Sequence, residues 1–171
     1  LCTGKRENLA PWADRVEFIE ADVTDGAALA RAVSGVDTIF HEAALASVPL
    51  SVERPLDTNA ACVTGTLALL HAARTAGVRR VVYAASSSAY GDQEARHKVE
   101  SLLPCPLSPY AEAKLAGEHL CGLYAKAHGL HTVALRFFTV YGPRQRPDMA
   151  FHKFMRAFLD DAPIHIYGDG Q

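Results

Sequence analysis

Three side chains in this sequence are of the types that could move a proton together: Ser86, Tyr110 and Lys114. Tyr110 and Lys114 stand four apart in "SPYAEAK", Ser108 to Lys114. On a helix that spacing puts both on one face, a turn apart. Ser86 opens "SSSAYG", directly after the apolar run Val81 to Ala85. A tyrosine with its ordinary pKa near 10 is a poor base at neutral pH, but an ammonium beside it favours the phenolate. Lowering that pKa by ~3 units requires roughly 4 kcal/mol of differential interaction, which two nearby cations in a partly dry site can supply. The phenolate then takes the proton of a hydroxyl as hydride leaves the same carbon. A serine hydroxyl holds the reacting oxygen in line. Tyr-x-x-x-Lys by itself is a weak signal, because helices also carry it with the lysine solvated and the tyrosine packed. Position strengthens it here. Tyr110 follows Pro109 at a helix start, and Ser86 lies at the end of a buried-type strand, so both can face one cleft.

The elements that must position these residues alternate. Val16 to Ile19 reads as a strand ending at Ala21-Asp22, Asp25 to Val33 as a helix with Asp25 as N-cap, and Val36 to His41 as the next strand, entering a small-residue turn at Ala43-Ala44. Pro55 to Ala76 reads as one long helix stopped by Gly77, with Leu67, Leu70 and Ala73 at helical spacing. Val81 to Ala85 is a strand, followed by a loop with Pro104, Pro106 and Pro109. Tyr110 to His128 is a helix ended by Gly129, Thr132 to Phe138 a strand, Asp148 to Leu159 a helix, and Ile164 to Tyr167 a short strand before Gly168-Asp169-Gly170. Such alternation predicts βαβ units and a mostly parallel sheet. In these sheets ligands sit outside the carboxyl ends of the strands. The ends here carry Asp22-Val23, Ala43-Ala44-Leu45, Ser86-Ser87-Ser88 and Phe137-Phe138-Thr139, where small residues allow close approach of a flat ligand.

Bulk properties narrow the class. The chain has 171 residues, a formal net charge of −2, 49% hydrophobic and 21% charged residues. That is one domain's worth of soluble globular composition. There is no basic field for nucleic acid and no apolar run long enough for a bilayer span. No signal-peptide pattern is visible, and the chain begins at Leu1. Cys2, Cys62, Cys105 and Cys121 are scattered without metal-ligand spacing and read as idle or buried thiols of a reducing compartment, the cytoplasm. His128 and His131 have no cysteine or acidic cluster with them, so no metal site is expected.

Taken together, "EADVTD" (Glu20 to Asp25), "FHEAALASVPLS" (Phe40 to Ser51), "NAACVTGTLALLHAAR" (Asn59 to Arg74), "YAASSSAYGD" (Tyr83 to Asp92), "SPYAEAKLAGE" (Ser108 to Glu118), "LRFFTVYGPRQRPDMAFHKF" (Leu135 to Phe154) and "IYGDGQ" (Ile166 to Gln171) carry a resemblance. The chain resembles the extended short-chain dehydrogenases/reductases, specifically the NAD-dependent nucleotide-sugar epimerase/dehydratase group. The resemblance implies a Rossmann-type doubly wound parallel sheet. It implies Tyr110 as catalytic base, Lys114 as its partner and cofactor-ribose ligand, and Ser86 as the substrate-orienting hydroxyl, with bound nicotinamide as the second cation. Asp22 and Val23 would contact the adenine, Ala43, Ala44 and Leu45 the pyrophosphate and ribose, Asn59 the cofactor side, and Phe138 the nicotinamide. Ser87, Thr139, Arg146 and Lys153 would face the nucleotide-sugar, although the two cations could also be a solvated surface pair. Arg136 reads as structural.

Within that group, the family's dehydratases carry an Asp-Glu pair where Ser87 and Ser88 stand, and its nucleotide-sugar decarboxylases a glutamate in place of Ser88. The Ser-Tyr-Lys set alone suffices for epimerisation. The resemblance is closest to UDP-glucose and UDP-glucuronate 4-epimerases, with NAD as cofactor and a UDP-sugar as substrate; Arg146 or Lys153 could pair with a uronate carboxylate. A decarboxylase, dehydratase or reductase of the same family is the alternative, and a non-catalytic NAD-binding regulator is a third reading. The family's helices corresponding to 55–76 and 108–128 pair across a homodimer. The family's glycine-rich phosphate loop, G-x-x-G-x-x-G, is not among these 171 residues. Nor is the acidic residue that follows the second strand, and the stretch from residue 139 enters only the start of the substrate-binding part. The sequence therefore reads as an incomplete Rossmann domain. It predicts that the strand at Val16 to Ile19 loses its neighbour, that the sheet keeps an open edge, and that the chain alone is inactive.

Overall fold

The apolar run Val81 to Ala85 is the middle of the sheet in the computed structural model, which describes residues 4–164. Three strands, β1 (Thr38–His41), β2 (Arg80–Ser86) and β3 (His131–Phe137), form a parallel sheet in that order. The register sets Ile39 beside Val81, His41 beside Tyr83, and Ser86 beside Phe137. The carboxyl ends of all three strands thus lie along one edge, as parallel pairing requires. Helical crossovers join the strands, and the architecture is the Rossmann-like α/β fold expected from the sequence.

Local chemistry places most helix ends. Helix α1 (Gly26–Ala32) starts at Asp25, whose carboxylate accepts the amides of Ala27 and Ala28 at 3.0 Å. Helix α2 (Val48–Glu53) is capped by Ser47 with Pro49 in its first turn. No helix is predicted there from the sequence, although a serine cap followed by an early proline is a recognisable start signal. The predicted long helix from Pro55 is helical throughout but not uniform. It comprises α3 (Pro55–Asn59), a π-helical turn (Ala60–Thr64) and α4 (Gly65–Thr75). At Gly65 the helix passes the Val23 side chain so closely that a Cβ would stand 2.5 Å from Val23 Cγ1. Gly77, at φ +72°, ends the helix, with the amide of Val78 on the Ala73 carbonyl at 2.9 Å. Helix α5 (Pro109–His128) begins at Ser108, which accepts the Ala111 amide at 3.1 Å, and ends at Gly129 in the left-handed conformation.

One face of the sheet carries the core. Leu29 and Val33 from α1 and its cap, Leu69, Leu70 and Ala73 from α4, and Cys121 and Tyr124 from α5 pack on Val81, Tyr83 and Ala85. Full burial of a residue such as Leu70 contributes roughly 1.5–3 kcal/mol. On the opposite face Phe40, Val133, Leu135 and Phe137 remain 68%, 44%, 39% and 42% exposed. The described chain divides after Phe137. The second unit contains helix α6 (Ala150–Leu159), two residues shorter at its start than predicted.

The strand predicted at Val16 to Ile19 does not form. Residues 16–20 have no regular structure, and Val16 and Ile19 are exposed. A strand exists only by pairing, and no neighbouring strand is available to it among the described residues. The preceding segment holds a 3₁₀-helix (Arg6–Trp12), where no element is predicted from the sequence. The strand predicted at Ile164 to Tyr167 and the Gly168-Asp169-Gly170 turn lie outside the described residues, apart from Ile164.

Candidate active site

Ser86 is the last residue of β2, in extended conformation. The chain then turns sharply through a 3₁₀-helix (Ser87–Tyr90), and the Ser86 side chain caps it. Its Oγ accepts the Ser88 amide at 3.2 Å and shares a 2.7 Å hydrogen bond with Ser88 Oγ. Gly91 closes the turn at φ +65°, where a Cβ would stand 1.8 Å from the Cys105 carbonyl oxygen. Cys105 in turn donates its amide to Ala89 at 2.9 Å. The proline-rich loop is thereby drawn against the turn that follows Ser86. Ser86, Ser87 and Ser88 are all half-buried.

Helix α5 supplies the other two residues. Tyr110 stands in its first turn, half-buried, and Lys114 one turn on, only 3% exposed. The Lys114 Nζ donates to the Ala84 carbonyl at 2.7 Å, two residues before Ser86. It also lies 5.1 Å from the centre of the Tyr83 ring. Burial holds the Lys114 pKa below the ordinary lysine value, with Cys62 and Glu42 acting in the opposite direction. Tyr83 is itself buried, and its hydroxyl donates to the Lys114 carbonyl at 3.3 Å. Burial first, then its acidic neighbours Cys62, Cys121 and Tyr110, push the Tyr83 phenol well above its usual range. The structure therefore ties Lys114 to the strand that ends at Ser86, and Tyr110 stands one turn earlier on the same helix.

His41, the last residue of β1, closes the cluster from below. It is 3% exposed, its ring centre is 5.6 Å from that of Tyr83, and Nε2 is 2.9 Å from Thr66 Oγ1. Thr66 already donates its hydroxyl hydrogen to the Cys62 carbonyl at 2.6 Å. The Nε2–H of His41 is therefore the donor in the contact, and the ring is neutral. Burial, and then the charge of Lys114, pushes the His41 pKa down to about 4.

The remaining sequence-predicted residues divide between the two units of the chain. Asp22 is exposed, accepts both the amide and the hydroxyl of Thr24, at 2.8 and 2.6 Å, and has its pKa lowered by those bonds. Val23 is half-buried against Gly65 and the core. Ala43 is exposed, and Ala44 and Leu45 are half-buried in the turn from β1 to α2. Asn59 is exposed where α3 meets the π-helical turn. Phe138, Thr139, Arg146 and Lys153 belong to the second unit. Arg146 forms an ion pair with Asp148 at 3.0 Å, and Lys153 is exposed on α6.

Sequence reasoning left His41, Tyr83 and Gly117 out of the site. Each lies in an apolar or helical pattern that reads as core, and only their spatial meeting under Lys114 distinguishes them. Arg136, read as structural, makes a two-point pair with Glu118 of α5 at 2.7 and 3.0 Å. Its guanidinium lies 4.7 Å from the Tyr90 ring centre. The Glu118 bond raises its pKa and ties β3, α5 and the turn after Ser86 into one unit.

A Rossmann-like sheet with a serine at the end of its middle strand and a tyrosine–lysine pair on the following helix defines a class, and comparison with known proteins agrees. The model of the NAD dependent epimerase/dehydratase family matches residues 2–171, and the chain belongs to that family. It is 43% identical over 166 residues to YtcB of Bacillus subtilis, described as an uncharacterised UDP-glucose epimerase, covering 96% of this chain and 52% of that protein. The solved UDP-glucuronic acid 4-epimerase of Bacillus cereus, in complex with UDP-glucuronic acid and NAD, superposes with a TM-score of 0.87 at 38% identity. It covers 95% of this chain and 52% of its own. DesIV of Streptomyces venezuelae, a dTDP-glucose 4,6-dehydratase solved with NAD, gives 0.92 at 36%, covering 98% and 52%. The chain thus spans about half the length of the relatives it matches.

Proposed function

We propose that the protein carrying this chain is a nucleotide-sugar epimerase that uses tightly bound NAD and inverts C4 of UDP-glucose or UDP-glucuronate. The observation that carries the reading is the arrangement at the end of β2. Lys114 is anchored to the Ala84 carbonyl behind Ser86, with Tyr110 one turn away on the same helix face and serines, not carboxylates, at positions 87 and 88. The residues at the sheet edge suit a dinucleotide. Ala43 and Ala44 beyond β1 have no side chain past Cβ, and the Lys114 ammonium has no carboxylate partner among the described residues. In this reading Asp22 and Val23 hold the adenine, Ala43, Ala44 and Leu45 the pyrophosphate and ribose, Asn59 and Lys114 the cofactor side, and Phe138 the nicotinamide. Bound NAD supplies the hydride acceptor and, after the sugar has turned, the hydride donor.

The chain's own residues do the proton work. Tyr110, as phenolate, takes the proton of the 4-hydroxyl, and Lys114 favours that phenolate by its charge. Ser86 donates a hydrogen bond to the reacting oxygen and keeps it in line through oxidation, rotation of the 4-keto sugar and return of the hydride. Ser87, Thr139, Arg146 and Lys153 bind the sugar and its diphosphate, residues 139–171 being the entry to the substrate-binding part. The protein works in the cytoplasm as a homodimer through the helices at 55–76 and 108–128, on which Leu67 and Leu123 are exposed. The 171-residue chain alone is inactive.

Incubation of the full-length protein with UDP-glucose, UDP-glucuronate and UDP-N-acetylglucosamine, without added NAD, tests the proposal. A C4 epimer from one of them is expected. Carbon dioxide release would make the protein a decarboxylase, a 4-keto-6-deoxy product a dehydratase, and net oxidation of added reduced cofactor a reductase. NAD binding with no product from any sugar would favour a regulator.

A further inference from the structure

We propose that Tyr83 is a positioning residue whose ring face keeps the buried Lys114 side chain protonated. The inference rests on the functional reading above for its catalytic meaning, but not for its geometry. Lys114 is nearly inaccessible to water, and a buried ammonium needs a compensating partner. Among the described residues it has no ion pair. Its contacts are the Ala84 carbonyl at 2.7 Å and the Tyr83 ring at 5.1 Å. A carbonyl and an aromatic face both favour the cation without adding a formal negative charge. That matters for a lysine whose charge must act on a tyrosine, since a carboxylate partner would cancel the field at Tyr110.

The ring is fixed for this role. The Tyr83 hydroxyl donates to the Lys114 backbone carbonyl, on the same residue whose ammonium lies near the ring. The helix makes room for that hydroxyl with Gly117, where a Cβ would stand 2.2 Å from the phenol oxygen. The groups facing the lysine from neighbouring elements are few. His41, from β1, is neutral, and Glu42 follows it. Cys62 comes from the π-helical turn, while Cys121 and Tyr110 of α5 act on Tyr83. The Tyr83 phenol stays protonated in the working range, so its ring acts as a neutral π face.

The test is a series at position 83 in the full-length protein: Tyr83→Phe, then phenylalanines bearing one, two and three ring fluorines. Fluorination empties the ring face of electron density at nearly constant size. The Lys114 titration is read directly from its labelled Nζ and Cε resonances. Its midpoint should fall stepwise along the series, by about one pH unit overall. The basic limb of the kcat profile should fall in parallel while the acid limb holds. A midpoint that ignores fluorination, even if stability drops, would overturn the inference and leave Tyr83 a core residue. Lys114→Met separates the two ideas. If that variant keeps full activity, the catalytic reading fails, while the resonance titration still decides the role of the ring.

Discussion

The chemistry of the proposed site depends on how two basic side chains are treated differently within one cluster. Lys114 has a carbonyl and a ring to hold its charge, whereas His41 uses its Nε2–H on Thr66 and stays neutral. Two predictions belong to this scale. Replacing Tyr110 by phenylalanine removes the proposed base, so kcat of the full-length enzyme should fall by about 10²–10⁴-fold with the far-ultraviolet spectrum unchanged. A fully active variant would sink the mechanism. The second concerns His41, whose folded pKa of about 4 lies below the ordinary 6.5. The unfolded state therefore binds more protons between those values, and stability rises with pH across that window. His41's contribution is fully present above about pH 6.5 and is lost as pH falls toward 4, by roughly 3 kcal/mol in all. Urea midpoints measured from pH 7.5 to 4.5 should show this decline, and His41→Gln should flatten it.

At the scale of elements, two glycines decide how closely the pieces meet. Gly117 lets α5 lie on Tyr83, so Gly117→Ala forces a methyl against a buried phenol that cannot retreat. A cost of about 1–3 kcal/mol is expected in chemical unfolding. Adding Tyr83→Phe should recover part of it, because the hydroxyl is the nearest atom; strict additivity of the two changes would refute the contact. Gly91 sits in the left-handed region against the Cys105 carbonyl. Gly91→Ala should therefore both destabilise the domain and displace Ser86, which caps the same turn. The Glu118–Arg136 pair works between elements too, joining α5 to β3 beside the strand end that carries Ser86.

For the molecule as a whole, the sheet is covered on one face and open on the other. Parallel sheets are normally covered on both sides, and Phe40, Val133, Leu135 and Phe137 present an apolar surface here. The segment at 16–20, extended in type but unpaired, points the same way. We expect the 171-residue chain by itself to bind a hydrophobic dye and to take up NAD only weakly, whereas the full-length protein purifies with NAD bound. Near-stoichiometric, tight NAD binding by the short chain in calorimetry would overturn that expectation.

Much of this could be read from the sequence, because the informative signals are local. Asp25 as a cap, Gly77 and Gly129 as helix stops, the apolar strand at Val81 and the four-residue spacing of Tyr110 and Lys114 all act within one or two turns of chain. Each appears in the structure where the sequence predicts it. The site's interior was not legible in this way. The hydrogen bonds that build it join residues 25, 30 and 31 positions apart, and nothing in His41, Tyr83 or Gly117 separately announces such partners. The failed strand at Val16 has the same cause, since its residue types suit a strand but a strand needs a neighbour. The sequence by itself determined most of the elements and the family, and it singled out the three candidate side chains, because these depend on nearby residues and recognisable motifs. Only the tertiary structure decided which of those side chains is buried, which carbonyl and ring it meets and which strand exists, because desolvation and pairing arise from groups that folding brings together.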